Sequence, residues 1–78
     1  MKIEQFRAVG EALFGPHWQT QLAIELEVGT RQVQFWLTGE RPFPDKHIPT
    51  LAKLLTDHAA TLTKLAAQVE KIAQKVEA

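Results

Sequence analysis

The 78-residue chain has no cysteine, no serine and no tyrosine. Without cysteine there is neither a disulfide framework nor a thiolate metal site, which suits a reducing compartment. The remaining hydroxyls are threonines, set at expected helix starts or on helix surfaces, and no nucleophile–base constellation forms. His17, His47 and His58 show no metal-ligand spacing, and no Gly-rich phosphate loop is present. These absences argue against enzyme activity, a bound metal and a cofactor. No apolar run approaches the roughly 20 residues of a membrane span, and no basic-plus-apolar leader opens the chain. Net charge is lacking too: nine Lys and Arg balance nine Asp and Glu. A strongly basic domain is the usual footprint of nucleic-acid binding, so any attraction for phosphate has to come from local grouping. Residues 1–47 hold five basic groups (Lys2, Arg7, Arg31, Arg41 and Lys46) and six acidic ones. If DNA is the ligand, Arg31, Arg41 and Lys46 must gather on one face.

What is present is helical periodicity, and strand signals are missing throughout. Ile3, Phe6, Val9, Leu13 and Phe14 recur at helical spacing and predict an amphipathic first helix over residues 2–14. Gly10 weakens it slightly, and Gly15-Pro16 ends it. A second helix is expected from Trp18 or Gln19 to about Glu27, with Trp18 as a core residue. Val28-Gly29 forms a turn, a third helix covers about Thr30 to Thr38, and Gly39 stops it. Leu22, Ala23, Leu26, Val28, Val33 and Trp36 fall where two short crossing helices need internal contacts, and Ala23 is small enough for a close crossing. Residues 40–49, ERPFPDKHIP, hold three prolines and are expected to be a short rigid connector. The fold class is therefore all-α, with a small domain over 1–47 and a C-terminal helical region over 48–78.

The last thirty residues follow a different rule. Leu51, Leu55, His58, Leu62, Leu65, Val69, Ile72 and Val76 are spaced alternately four and three apart, which is a heptad seam. Pro49 suits the first turn of such a helix. Its length, roughly 45 Å at about 1.5 Å per residue, exceeds what so small a domain can cover. Leu51, Leu54 and Leu55 in its first two turns are available to fold back on the body. The remainder implies a partner, since a strict seven-residue repeat drifts around a straight helix. Leu55, Leu62, Leu65, Val69, Ile72 and Val76 are the expected dimerisation residues. Ala59, Ala66 and Ala73 flank the seam where long charged side chains are more usual, so antiparallel pairing and a four-helix assembly are both open, and the salt bridges of a parallel pair are missing. For His58 three readings stand: a register-setting polar group, a pH-sensitive spot, or a partly solvated residue at the start of the seam.

From Gln19 to Gly39 the chain reads QTQLAIELEVGTRQVQFWLTG. This fills every fixed position of a pattern Q-x-x-L-A-x-x-L-x-V-x-x-x-x-V-x-x-W-x-x-G, at Gln19, Leu22, Ala23, Leu26, Val28, Val33, Trp36 and Gly39. On these residues, and with the "GERP" that follows, the stretch resembles the lambda-repressor-like and Cro-like helix-turn-helix family of bacterial and phage transcription regulators. The resemblance implies a third helix that enters the major groove of double-stranded DNA. Two positions depart from the family. Glu27 stands where Gly is usual in the turn, and Gly29 where Ser, Thr or Asn would cap the third helix; Thr30 is the substitute cap if the helix starts one residue late.

The resemblance implies that Thr30, Arg31, Gln32 and the position before Trp36 are base readers. Chemistry agrees for the first three: Arg31 can bond bidentately to guanine and Gln32 to adenine, and Thr30 can reach a phosphate or a thymine methyl. Gln34 points outward and can add a contact. Phe35 has two open readings, packing on a thymine methyl or joining the core. Gln19 matches a glutamine that in the family bonds phosphate and braces a recognition-helix side chain, and the helix N-terminus itself favours phosphate. Arg41 and Lys46 are expected non-specific phosphate contacts. The expected function is a cytoplasmic, homodimeric, sequence-specific repressor of small phage or mobile-element type, with no membrane or small-molecule partner. The alternative is a protein–protein adaptor or antitoxin-like protein whose C-terminal helix binds a different partner.

Overall fold

A computed structural model describes residues 1–77; Ala78, the last position of the expected C-terminal region, lies outside the described residues. The chain is all-α. Helix α1 spans Ile3–Phe14, α2 Trp18–Leu26, α3 Thr30–Thr38 and α4 Ile48–Glu77, with single 3-10 turns at Gly15–His17 and Asp45–His47. At the start of α1 the Gln5 Oε1 accepts the Lys2 backbone N–H at 3.0 Å, satisfying a donor that the first turn cannot. The 3-10 turn between α1 and α2 carries Pro16, whose missing N–H costs nothing at a helix start.

Helix α1 packs on α2, α3 and the start of α4, and α2 packs on α3. The core they enclose is Phe6, Trp18, Leu22, Ala23, Leu26, Val33, Trp36 and Leu51. Its centre is aromatic. The Phe6 ring meets Trp18 edge-on at 5.4 Å and Trp36 edge-on at 5.8 Å, the geometry that the ring quadrupoles prefer. Phe43, from the connector, closes the cluster at 4.8 Å from Phe6 and 5.0 Å from Trp36. The connector is thus more than a spacer between α3 and α4, because it supplies a wall of the core.

Gly10 has a steric role that the expected weakening of α1 does not describe. It is buried, and a methyl at its Cα would overlap the six-membered ring of the Trp18 indole. Gly10 is the gap through which Trp18 reaches Phe6.

Only the first turns of α4 belong to this core. Leu51 is 2% exposed, Leu54 is half-buried and packs on the cluster, and Leu55 already stands 36% exposed. Of the three residues expected to fold back, Leu51 and Leu54 do, while Leu55 stands at the rim and does not join the core cluster. The rest of α4 projects away: the molecule measures 57 × 22 × 20 Å, and its radius of gyration is 16.2 Å against about 11.5 Å for a compact chain of this length. No helix is long and apolar enough to cross a membrane among the described residues.

Candidate nucleic-acid interface

The turn between α2 and α3 forms despite its residues. Glu27 adopts the left-handed conformation, φ 58° and ψ 40°, which costs a residue with a Cβ about 1–2 kcal/mol. Two hydrogen bonds offset it: the Glu27 N–H donates to the Ile24 carbonyl at 3.1 Å and the Val28 N–H to the Ala23 carbonyl at 2.9 Å. This paired arrangement closes a helix end and tucks the residue after it inward, and Val28 accordingly packs against the core. Gly29 is extended and caps α3 with no side chain, and Thr30 is the first helical residue rather than a cap. The first turn of α3 therefore has no side-chain acceptor from its cap.

Val33 and Trp36 turn α3 inward and are 0% and 3% exposed. The opposite face is set by the same periodicity. Arg31 and Gln34 are exposed, and Thr30, Gln32 and Phe35 are half-buried along its flanks. At the far end Gly39, with φ 83° and ψ 4°, reverses the chain in a region that Gly enters freely. The reversal lets the Arg41 N–H donate to the Phe35 carbonyl at 3.3 Å, and the Thr38 hydroxyl donates to the same oxygen at 3.2 Å. Arg41 is thereby laid over the Phe35 ring, its guanidinium carbon 4.6 Å from the centroid, while that of Arg31 lies 5.4 Å from the same centroid. Phe35 is neither a free apolar tip nor a core residue: it is a half-buried platform that carries two cations. Stacking of this kind orients a guanidinium while leaving its N–H donors available.

Two shallow grooves run beside this ridge. One, of about 280 Å³, is lined by Pro16, His17, Gln19, Thr20, Thr30 and Gln34, so Gln19 at the start of α2 comes together with two of the expected α3 contacts. The other, of about 540 Å³, lies between α3 and the connector and takes in Gln32, Arg41 and Lys46 with Trp36 and His47. Neither groove has an acidic residue in its lining. The eight expected contact residues, Gln19, Thr30, Arg31, Gln32, Gln34, Phe35, Arg41 and Lys46, thus lie on or beside one helix. Three neighbours were not foreseen: His17 and Thr20 on the α2 side, and His47 on the other. His47 also lies against Trp36 at 5.5 Å and Phe43 at 5.9 Å. Burial, and then the neighbouring Lys46 ammonium, push its pKa below the ordinary histidine value. A histidine four residues beyond a proline-flanked aromatic carries no periodic signal, and so sequence spacing could not single it out.

The expected dimerisation residues line neither of these grooves. Leu55, Leu62, Leu65, Val69, Ile72 and Val76 are 36%, 53%, 48%, 61%, 60% and 79% exposed, and they form an apolar stripe that the chain itself does not cover. Compared with protein-family models, curated proteins and solved structures, the chain matches none.

Proposed function

We propose that this chain is a homodimeric, sequence-specific DNA-binding transcriptional regulator of the helix-turn-helix type, and that it represses a promoter by inserting α3 into the major groove. The observation that carries the reading is the Arg31–Phe35–Arg41 stack on the outer face of α3, flanked by grooves without a carboxylate. In a chain of zero net charge, this local grouping is what a polyanion can use. The division of labour follows from chemistry. Arg31, Gln32 and Thr30 at the N-terminal end of α3 are suited to base edges, with Gln34 beside them. Arg41, Lys46 and Gln19 are suited to phosphates on either side, where they set orientation rather than sequence. The apolar stripe of α4 supplies the second copy.

The test is selection of binding sites from a random pool of DNA duplexes, followed by titration at several salt concentrations. A defined inverted repeat is expected, with affinity falling steeply as salt rises. Arg31→Ala is expected to relax preference at one base pair of each half-site, at a cost of about 1–3 kcal/mol. Binding that ignores both sequence and Arg31 would sink the proposal.

A further inference from the structure

The seam along α4 is divided between two occupants. Its first residue, Leu51, is 2% exposed beneath the chain's own body, and Leu54 and His58 are half-buried at the same end. Among the apolar seam residues Leu55 at this end is 36% exposed, and those past His58 are 48–79% exposed, with Val76 the most. The body therefore sits on the same face of α4 as the open part of the seam. A second helix laid on that face in parallel would bring its own body to the same level, where the first body already occupies the space between the helices. An antiparallel helix meets no such obstacle. The end of α4 remote from its own body runs toward the first body, and its own body lies at the far end.

We propose that a second copy of this chain seats antiparallel on residues 58–76 of α4, with the two-fold axis beside Ala67. Opposing core positions to core positions sets the register. Leu62 meets Ile72 of the second copy, Leu65 meets its Val69, and each His58 meets a Val76 at the wet end of the strip instead of another His58. On one flank Ala66 faces its own equivalent, so no long side chain holds the backbones apart. The paired strip is about 30 Å long and roughly half the helix circumference wide, on the order of 1,000 Å² in total, which is where specific interfaces begin. The proposal rests on the DNA-binding reading only for its consequence. From the start of α4 to the axis is about 29 Å, so the two bodies stand about 60 Å apart, nearer two turns of DNA than one. Half-sites are then centred roughly 20 base pairs apart.

The chain has no cysteine of its own, so single cysteines report the pairing without background. Under mild oxidation, full-length Ala66→Cys is expected to form a covalent dimer. Leu65→Cys, whose sulfurs meet only in a parallel pair, is not. Ala59→Cys and Ala73→Cys are expected to cross-link when mixed and not separately. Sedimentation of the unaltered chain should give a dimer. Cross-linking through residue 65 but not 66 overturns the antiparallel direction, and cross-linking at neither in a sedimenting dimer overturns the register. A monomer at every concentration overturns the second copy and points to a foreign helical partner. No readout involves DNA, so failure here and failure of the DNA-binding reading are separable.

Discussion

Gly10 and Glu27 each occupy a position where the residue is at odds with its local structure, and the reasons differ. In a helix interior Gly is about 1 kcal/mol worse than Ala, so Gly10→Ala would stabilise an isolated α1. In the folded chain the added methyl meets the Trp18 ring. Overpacking of this kind costs typically 1–3 kcal/mol, and the expected net effect is a lower Tm with a blue- or red-shifted Trp18 emission as the indole is displaced. An unchanged Tm would mean that Trp18 can step aside. Glu27 is the opposite case, since nothing but its own Cβ opposes the left-handed turn. Glu27→Gly is expected to stabilise the fold by about 0.5–1 kcal/mol, the relief of strain less the entropy that glycine loses on folding, as read by denaturant unfolding. The inward residues of α2 and α3 were legible in the sequence because spacings of three and four leave only one face for Leu22, Leu26, Val33 and Trp36. Gly10 was not, because a glycine in a helix reads as a weakness until the ring that needs its space is known.

At the scale of the element, the connector between α3 and α4 is the segment whose role was hardest to read. Its three prolines announce a break, and nothing periodic distinguishes Phe43 or His47 from solvent-facing residues. Yet this segment lays Arg41 over Phe35, closes the aromatic cluster with Phe43, and sets His47 between that cluster and Lys46. The lowered pKa of His47 gives the element a pH signature. In the unfolded chain His47 regains its ordinary value near 6.5, so as pH falls the unfolded state takes up the proton first. By linkage the stability from neutral His47 is whole above about pH 6.5 and is lost as pH falls through that value toward the lower folded one. A decline in Tm between pH 7.5 and 5.5 is expected, and His47→Phe should flatten it. A decline of the same slope in the variant would assign the effect to other groups.

At the scale of the whole molecule, a compact body of three short helices carries a rod that it cannot cover. The heptad spacing made the rod and its stripe legible before any coordinates. The direction of pairing was not, because a seam of alternating threes and fours reads alike for parallel and antiparallel partners. The proposed antiparallel direction rests on the side of α4 on which the body sits, a tertiary fact. The stripe itself is open to a direct test. Leu62→Asp sets a carboxylate among apolar residues in both copies, and it is expected to weaken self-association by about 3 kcal/mol, roughly 100-fold. The monomer's Tm should move by little, because Leu62 touches no part of the body and is 53% exposed in the single chain. Sedimentation and thermal melts on one sample separate the two effects.

The Arg31–Phe35–Arg41 stack gives each body only a small cationic patch, and the chain as a whole carries no net charge to add to it. On the proposed reading a single copy would grip a polyanion weakly, and useful occupancy of a paired site would require two bodies joined through their α4 helices. Below the dissociation constant of the pair, the abundance of the two-bodied form rises with the square of chain concentration. On the proposed reading, a regulator built this way would stay silent at low expression and engage over a narrow range of dosage, with the exposed stripe of α4 setting that threshold.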